Sequence, residues 1–193
     1  MLRLRLAGDE KTKFLQKHKC TFNFVEALIQ KIIQLITEAQ VLALKIGIPN
    51  ILQPGLVKEM IIAETLGHQL IHSKRDADAC NPNDTSIKYE YLSCYEGGSG
   101  QLDRMFKEPP QEREKSLQRI WRNHKIYLAI FYKKNPLQIK TIYEIEPHIL
   151  ALETERQLDR SRNAISHVSF SENWAKENGK IVFNDTNTNN SSI

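Results

Sequence analysis

Four acidic residues occupy positions in the sequence where carboxylates are uncommon. Glu59 lies on the apolar face of a predicted amphipathic helix, because apolar residues follow it at the third, fourth and seventh positions. Asp76 and Asp78 alternate with alanines, so an extended backbone sends both carboxylates to one side. Glu90 lies inside an aromatic-rich segment that alternates as a strand does. A charge in such a segment is costly unless it is paired, hydrated or bound to a cation.

Carboxylates on the two strands of a hairpin can converge on a single divalent cation. The stretch between Asp78 and Glu90 is long enough for two short strands around a turn at 81–84. Oxygen ligands of this kind suit Mg²⁺, which is usually held by one or two carboxylates together with a substrate phosphate. Mn²⁺ is the expected substitute. Such a metal polarises a phosphodiester and generates hydroxide for in-line attack. The alternative is that these acids form ordinary salt bridges at the surface.

The order of these acids resembles the core of the PD-(D/E)XK nuclease superfamily, to which type II restriction endonucleases belong. Its members carry a helix Glu, a hairpin Asp and a strand motif of an acid, any residue and then Lys. The resemblance covers 56–95 and implies a restriction-endonuclease-like core in which Glu59, Asp78 and Glu90 bind Mg²⁺ and act in catalysis. Asp76 is the competing choice for the hairpin acid.

The sequence departs from that motif at Leu92, where the superfamily has Lys. In the superfamily this Lys orients or activates the attacking water, which leucine cannot do. Three interpretations follow. Lys88, on the same strand face as Glu90, reaches the site from the other side and assists the water. Alternatively, the protein is a catalytically impaired nuclease that still binds DNA, or the match is accidental.

Two segments carry side chains that hydrogen-bond to the edges of bases. The glycine-rich stretch 97–104 is predicted to be a flexible loop, and it carries Gln101 and Arg104. The second segment begins on a helix after Pro147. Its candidate DNA contacts are Arg156, Arg160, Arg162, Asn163 and His167. For its arginines, pairing with nearby glutamates is the alternative interpretation.

A band of positive charge lies between these two segments. Seven basic residues of 113–134 face a single acid, Glu114, and this excess can attract a polyanion. We expect Arg119 and Arg122 of this band to contact DNA. A solvated helix face is the alternative interpretation of the same charges.

The composition is that of an ordinary soluble globular protein. The 193 residues include 27 Lys and Arg against 23 Asp and Glu, a formal charge of +4, and 40% are hydrophobic. Collagen, whole-chain coiled-coil and disordered classes are thereby excluded. Apolar runs such as 60–63 are far shorter than the roughly 20 residues that cross a bilayer, so we expect no membrane span and a cytoplasmic protein. Cys20, Cys80 and Cys94 lack metal-ligand spacing and are expected to be reduced thiols.

The chain is predicted to form one nuclease-like domain over 1–183, with a poorly ordered basic arm at 1–20 and a disordered tail at 184–193. A long N-terminal helix spans 24–46. The fold class is α/β (mixed α+β), with a central mixed β-sheet flanked by helices. Periodicity and turn signals predict further helices at 56–69, 111–124, 147–158 and 172–176, and strands at 77–80, 86–95, 126–132, 139–146 and 180–183.

Together these features predict a Mg²⁺-dependent, sequence-specific endonuclease that hydrolyses double-stranded DNA. Cleavage of both strands requires two active sites, so a homodimer on a palindromic target is expected. Two rivals stay open. One is a DNA-binding protein with an impaired nuclease core, and the other is a structural or partner-binding protein whose acids are ion-paired.

Overall fold

The computed structural model of the chain describes residues 8–71 and 77–186, with side chains from residue 24 onward. The chain divides into two compact units, Met1–Leu52 and Gln53–Ile193. The sequence predicts a single domain over 1–183. Most of the predicted tail, residues 187–193, lies outside the described residues, as does Asp76.

The first unit consists of helix α1 (Gly8–Lys45) and the turn that follows it. The helix begins well before the predicted start at Phe24, within the stretch predicted to be a poorly ordered arm. Gly47, at a φ of 82°, reverses the chain, and the Ile48 N–H donates to the Ala43 carbonyl at 2.9 Å. The Gln40 side chain then holds the returning segment, because it donates to the Pro49 carbonyl and accepts from the Ile51 N–H.

One helix bears on the expectation of no membrane-spanning segment. Among the described residues, one helical segment, Phe24–Lys45, is long and apolar enough to cross a bilayer, with a mean hydropathy of 1.3. An uninterrupted apolar run is a stricter criterion than an average, and isolated charges such as Lys31 and Glu38 interrupt every run in this helix.

The second unit combines four helices with eight strands in its described part. In chain order these are α2 (Leu56–Leu66), β1 (Gln69–Leu70), β2 (Ala79–Asn81), β3 (Asp84–Tyr95), β4 (Ser99–Phe106), α3 (Pro110–Trp121), β5 (Lys125–Phe131), β6 (Ile139–Ile145), α4 (Pro147–Arg160), β7 (Ile165–Ser171), α5 (Glu172–Asn178) and β8 (Lys180–Asn184). Pro110 and Pro147 each start a helix, where a missing N–H costs nothing. Gly67 ends α2 in the left-handed conformation, at a φ of 67°.

Six strands form one mixed sheet in the order β1-β2-β3-β5-β6-β8. Strands β3 and β5 are parallel, and every other neighbouring pair is antiparallel. Strands β4 and β7 pair separately as a two-stranded antiparallel ribbon, called the ribbon below. A mixed sheet with helices around it confirms the predicted α/β fold class.

The two faces of the sheet bury different clusters, which follow from the alternation along β3. Leu92 and Cys94 point to the face that packs against α3 and α4, called the α3 face. Tyr89 and Tyr91 point to the opposite face, where Ile62 of α2 packs, called the α2 face. Cys80 and Cys94 are buried free thiols, as expected.

The glycine-rich stretch is not the predicted flexible loop. Only the turn around Gly97, which has a φ of 71°, is a loop, and β4 begins at Ser99. Strand β7 was also missed, in a region predicted to be loop. Gly100 allows the backbone of β4 to lie directly over β3. A Cβ there would come within 2.9 Å of the Leu92 Cβ and 2.5 Å of the Leu128 Cδ1.

The close contact at Gly100 leads to a prediction about stability. We expect Gly100→Ala to lower the free energy of unfolding by about 1–3 kcal/mol, because the added methyl group overpacks the core. The neighbouring substitution Ser99→Ala, at a half-exposed position, serves as the control and should change it much less. Urea unfolding followed by tryptophan fluorescence measures both. Equal stabilities of the two variants would show that β4 can move away from β3 at little cost.

Candidate functional site

Asp78 and Glu90 lie opposite each other where the pairing of β2 with β3 ends. Ala79 pairs with Tyr89, so the antiparallel register puts residue 78 across from residue 90. The Asp78 Oδ2 accepts a hydrogen bond from the Tyr91 N–H at 2.7 Å. A carboxylate therefore takes the place of a backbone acceptor at the end of this ladder. Of the three singled-out acids that the structure describes, it brings together two, and they are called the acidic pair below.

The acidic pair is electrostatically strained. Burial raises the pKa of Asp78, although the hydrogen bond from the Tyr91 N–H and the charge of Arg122 act in the opposite direction. Burial and then the nearby Asp78 carboxylate raise the pKa of Glu90 to about 8. Ionising both carboxylates is unfavourable, because burial removes their hydration and the two negative charges repel each other. A cation bound between them would therefore be stabilising.

Two arginines of α3 and its C-terminus offset part of this strain. Arg122 Nη2 lies 3.4 Å from Glu90 Oε2, and the charges of Arg122 and Arg119 both lower the Glu90 pKa. Arg119, one turn earlier, donates to the Asp103 carbonyl of β4 at 2.9 Å. The C-terminal turn of α3 thus connects the acidic pair to the ribbon.

Lys88 and Leu92 flank Glu90 on the same face of β3, with different surroundings. Lys88 is half-buried, two residues before Glu90 in β3, and its carbonyl accepts from the His124 N–H at 2.7 Å. Leu92 is only 3% exposed and packs in the core of the α3 face, beneath Gly100 of β4. Position 92 is therefore core, and a lysine there would not lie in a solvated site.

The structure does not bring Glu59 to the acidic pair. Helix α2 packs on the α2 face, whereas Glu90 points to the other face. The helix also runs opposite to β3, since Lys58 Nζ lies 3.8 Å from the centre of the Tyr95 ring while His68 stacks on Tyr89 at 4.1 Å. Glu59, next to Lys58, is thus roughly 16 Å along the strand from Glu90.

A three-carboxylate centre is accordingly not formed by Glu59, Asp78 and Glu90. Within 24–71 and 77–186, no three His, Cys, Asp or Glu side chains are grouped so that they could hold a metal ion. Glu59 is half-buried and lies one helical turn before Ile62, which packs on the sheet. The apolar periodicity of α2 does not tell which face of the sheet the helix covers or which end of the strand it meets.

The ribbon brings the two predicted base-contacting segments side by side. Gln101 of β4 pairs with Ser169 of β7, and the Gln101 Nε2 lies 3.4 Å from the Ser169 Oγ. On the same exposed face, His167 Nδ1 and Asp103 Oδ1 are 2.7 Å apart. Arg104 is exposed at a break in the ladder and has a φ of 52°. A two-stranded ribbon of this kind can enter the DNA major groove.

The other predicted DNA contacts divide into paired and exposed groups. Both oxygens of the Glu153 carboxylate accept hydrogen bonds from Arg156, so this guanidinium is neutralised within α4. Arg160, at the end of α4, and Arg162 and Asn163, in the loop that leads into β7, are exposed. For Arg156, the alternative interpretation, pairing with a nearby glutamate, is therefore the one that the structure shows.

Sequence reasoning missed a polar aromatic cluster on the α2 face. His68 Nδ1 lies 2.8 Å from the Tyr91 hydroxyl, and its ring stacks on Tyr89. The Tyr127 hydroxyl donates to Glu144 Oε2 at 3.2 Å. Burial lowers the pKa of His68, so the ring is held neutral as a hydrogen-bonding group. The alternation of Tyr89 and Tyr91 was the available signal, since both point away from Glu90.

The acidic pair, the arginines of α3 and the ribbon form one connected arrangement. Comparison with protein-family models and with curated proteins finds no match for this chain. Its function is therefore inferred from the chemistry of these side chains.

Proposed function

We propose that this protein is a Mg²⁺-dependent endonuclease that cleaves double-stranded DNA at a specific sequence, with Asp78 and Glu90 as its metal ligands. The observation that carries the proposal is their register. Two carboxylates meet across a strand pair at the end of its ladder, and a backbone N–H orients one of them. The order of a helix acid, a hairpin acid and a strand acid adds the resemblance to the PD-(D/E)XK superfamily.

The acidic pair fits the ligand requirement of Mg²⁺. This ion keeps several waters and commonly takes only one or two protein carboxylates together with substrate phosphate, so a third protein ligand is not needed. Hydrogen bonds engage Oδ2 of Asp78 and Oε2 of Glu90. Asp78 and Glu90 would hold the cation through carboxylate oxygens that these hydrogen bonds leave available.

The chain's own groups have distinct roles in the proposed reaction. Bound Mg²⁺ supplies Lewis-acid chemistry to the phosphodiester and its attacking water. The Tyr91 N–H fixes the orientation of the Asp78 carboxylate. Lys88, on the Glu90 face of β3, is assigned to hold the water for in-line attack, and Arg122 and Arg119 attract the DNA phosphates.

Base recognition is assigned to the ribbon. Gln101 and Arg104 carry the amide and guanidinium groups that pair with adenine and guanine edges, and His167 lies beside them. The exposed Arg160, Arg162 and Asn163 extend this surface. Since Arg119 joins β4 to α3, a duplex on the ribbon lies near the acidic pair.

Incubation of the full chain with unmethylated supercoiled plasmid tests the proposal. We expect discrete linear fragments with Mg²⁺ or Mn²⁺ and none with EDTA. Salt-dependent DNA binding without cleavage under either metal would favour the impaired nuclease. Absence of both cleavage and salt-dependent retention on DNA and heparin columns would favour a structural protein.

A matched pair of arginine variants tests the ribbon. We expect Arg104→Asn to weaken duplex binding about tenfold and to relax sequence preference, because asparagine tolerates the left-handed backbone but lacks the charge and reach of arginine. Arg156→Ala should change binding little, since Glu153 already neutralises that guanidinium. Fluorescence anisotropy at fixed salt measures both. Equal losses would mean that binding depends on overall charge and not on the ribbon.

A further inference from the structure

Helix α1 exposes an apolar seam with a strict heptad repeat. Leu28, Leu35 and Leu42 occupy every seventh position. A second row, three residues before each leucine and directly after the helix, consists of Val25, Ile32, Ala39 and Ile46. Apart from the half-buried Ala39, these side chains are about half exposed or more, up to 62% for Leu42. A spacing of 3 and 4 sustained over three heptads is typical of a helix that packs along another helix.

The residue types in the two rows indicate what kind of helix covers the seam. In coiled coils, β-branched residues in one row (position a of the heptad), with leucine in the other row (position d), favour parallel, two-stranded pairs. Here the row that begins at Val25 contains valine and two isoleucines besides Ala39, and the row that begins at Leu28 is entirely leucine. Ile29 and Ile36 lie beside the seam and widen its apolar surface. A second copy of the same helix supplies the identical rows in the same register.

A polar stripe beside the seam argues against a lipid environment. It follows the leucine row, and its members bond to one another: Lys31 donates to Gln34 at 3.2 Å, and Gln34 donates to Glu38 at 2.7 Å. These residues lie near the middle of Phe24–Lys45, where a bilayer centre would disfavour them strongly. The segment has two Glu and two Lys, so its polar side also lacks the positive charge that anchors a helix on anionic lipid.

We propose that α1 binds α1 of a second copy of this chain as a parallel two-stranded coiled coil along the Val25–Ile46 seam. The coiled coil makes the protein a dimer in the absence of DNA. This inference does not depend on the nuclease proposal. Where both hold, each dimer contains two acidic pairs, one for each strand of a duplex.

Sedimentation equilibrium of the full chain without DNA gives the first test. We expect the mass of a dimer at micromolar concentration. Leu28→Asp combined with Leu35→Asp should give a monomer, while Gln30→Asp combined with Gln34→Asp, which adds the same charge away from the seam, should stay dimeric. Fluorescence of Trp121 and Trp174 verifies that the Gln53–Ile193 unit stays folded. A monomeric or trimeric parent chain would overturn the proposal.

Disulfide trapping provides a test that does not depend on destabilising the helix. With Cys20 replaced by Ser, Val25→Cys should form a cross-linked dimer upon oxidation, because in a parallel, in-register pair the two copies of this residue meet. Thr37→Cys, on the side of the helix opposite the seam, should not. Absence of the Val25→Cys cross-link would exclude the parallel arrangement. If the parent chain is a monomer that co-sediments with phosphatidylcholine–phosphatidylglycerol vesicles, and the Leu28/Leu35 variant does not, then lipid and not a second copy covers the seam.

Discussion

Replacing Glu90 by glutamine is expected to abolish cleavage and at the same time to stabilise the folded protein at pH 8. Loss of one of two metal ligands should lower the cleavage rate by about a thousandfold or more. The same change removes the repulsion between two buried carboxylates. A residue that costs stability and is required for activity is typical of a functional site, whereas an ion-paired structural acid would lower stability when removed.

The effect on stability has a defined pH dependence. The carboxyl group of glutamate has an ordinary pKa of 4.5, and in the folded protein the pKa of Glu90 is raised to about 8. Between these two values the folded state binds more protons than the unfolded state, so the free energy of unfolding falls as the pH rises from about 4.5 to about 8. Each pKa unit corresponds to about 1.4 kcal/mol, which makes the total decline on the order of a few kcal/mol.

Urea unfolding at pH 5.5, 7 and 8.5 measures this decline. Glu90→Gln should flatten the pH dependence, and Mg²⁺ should stabilise the parent chain more at pH 8.5 than at pH 5.5, because the cation requires the ionised pair. Glu114 is an exposed acid of α3, so Glu114→Gln serves as the control. It should leave both the pH dependence of the free energy of unfolding and the cleavage rate unchanged. A parent chain whose stability rises over this range would contradict a strained acidic pair.

Local patterns predicted the elements whose signals are self-contained. Periodicity and turn signals predicted α1, α2, α3 and α4 and strands β3, β5 and β6, although α1 begins at Gly8, well before its predicted start at Phe24. The acidic pair was also predictable, because a hairpin register depends on the short stretch between Asp78 and Glu90. These features arise from interactions between residues close in sequence.

The features that could not be predicted depend on contacts between distant residues. Strand β4 is stable because Gly100 fits against Leu92 and because β7, far along the chain, pairs with it. Glycines alone indicate a loop, and only the partner strand changes that interpretation. The prediction that Glu59 lies beside Asp78 and Glu90 was wrong for a related reason. Its helix face is set locally, but the face of the sheet that α2 covers is set by packing across the whole unit.

Packing around Leu92 also determines whether a lysine at this position could act in the site. We expect Leu92→Lys to destabilise the protein by several kcal/mol and to give no gain in cleavage. The side chain at position 92 is 3% exposed and is covered by β4 at Gly100, so an ammonium group there would be buried without a partner. Introducing the lysine of the superfamily motif at position 92 would therefore destabilise the core without adding a catalytic group to the site.

Urea unfolding and plasmid cleavage on the same preparations measure the two effects. Leu92→Met, which conserves volume, should cost less than about 1.5 kcal/mol and leave cleavage unaltered. A stable, more active Leu92→Lys variant would mean that position 92 belongs to the site and that β4 can move aside. Because Lys88 is half-buried, lies outside the core cluster of the α3 face and shares the face of Glu90, Lys88→Ala is the substitution expected to remove cleavage while the core stays intact.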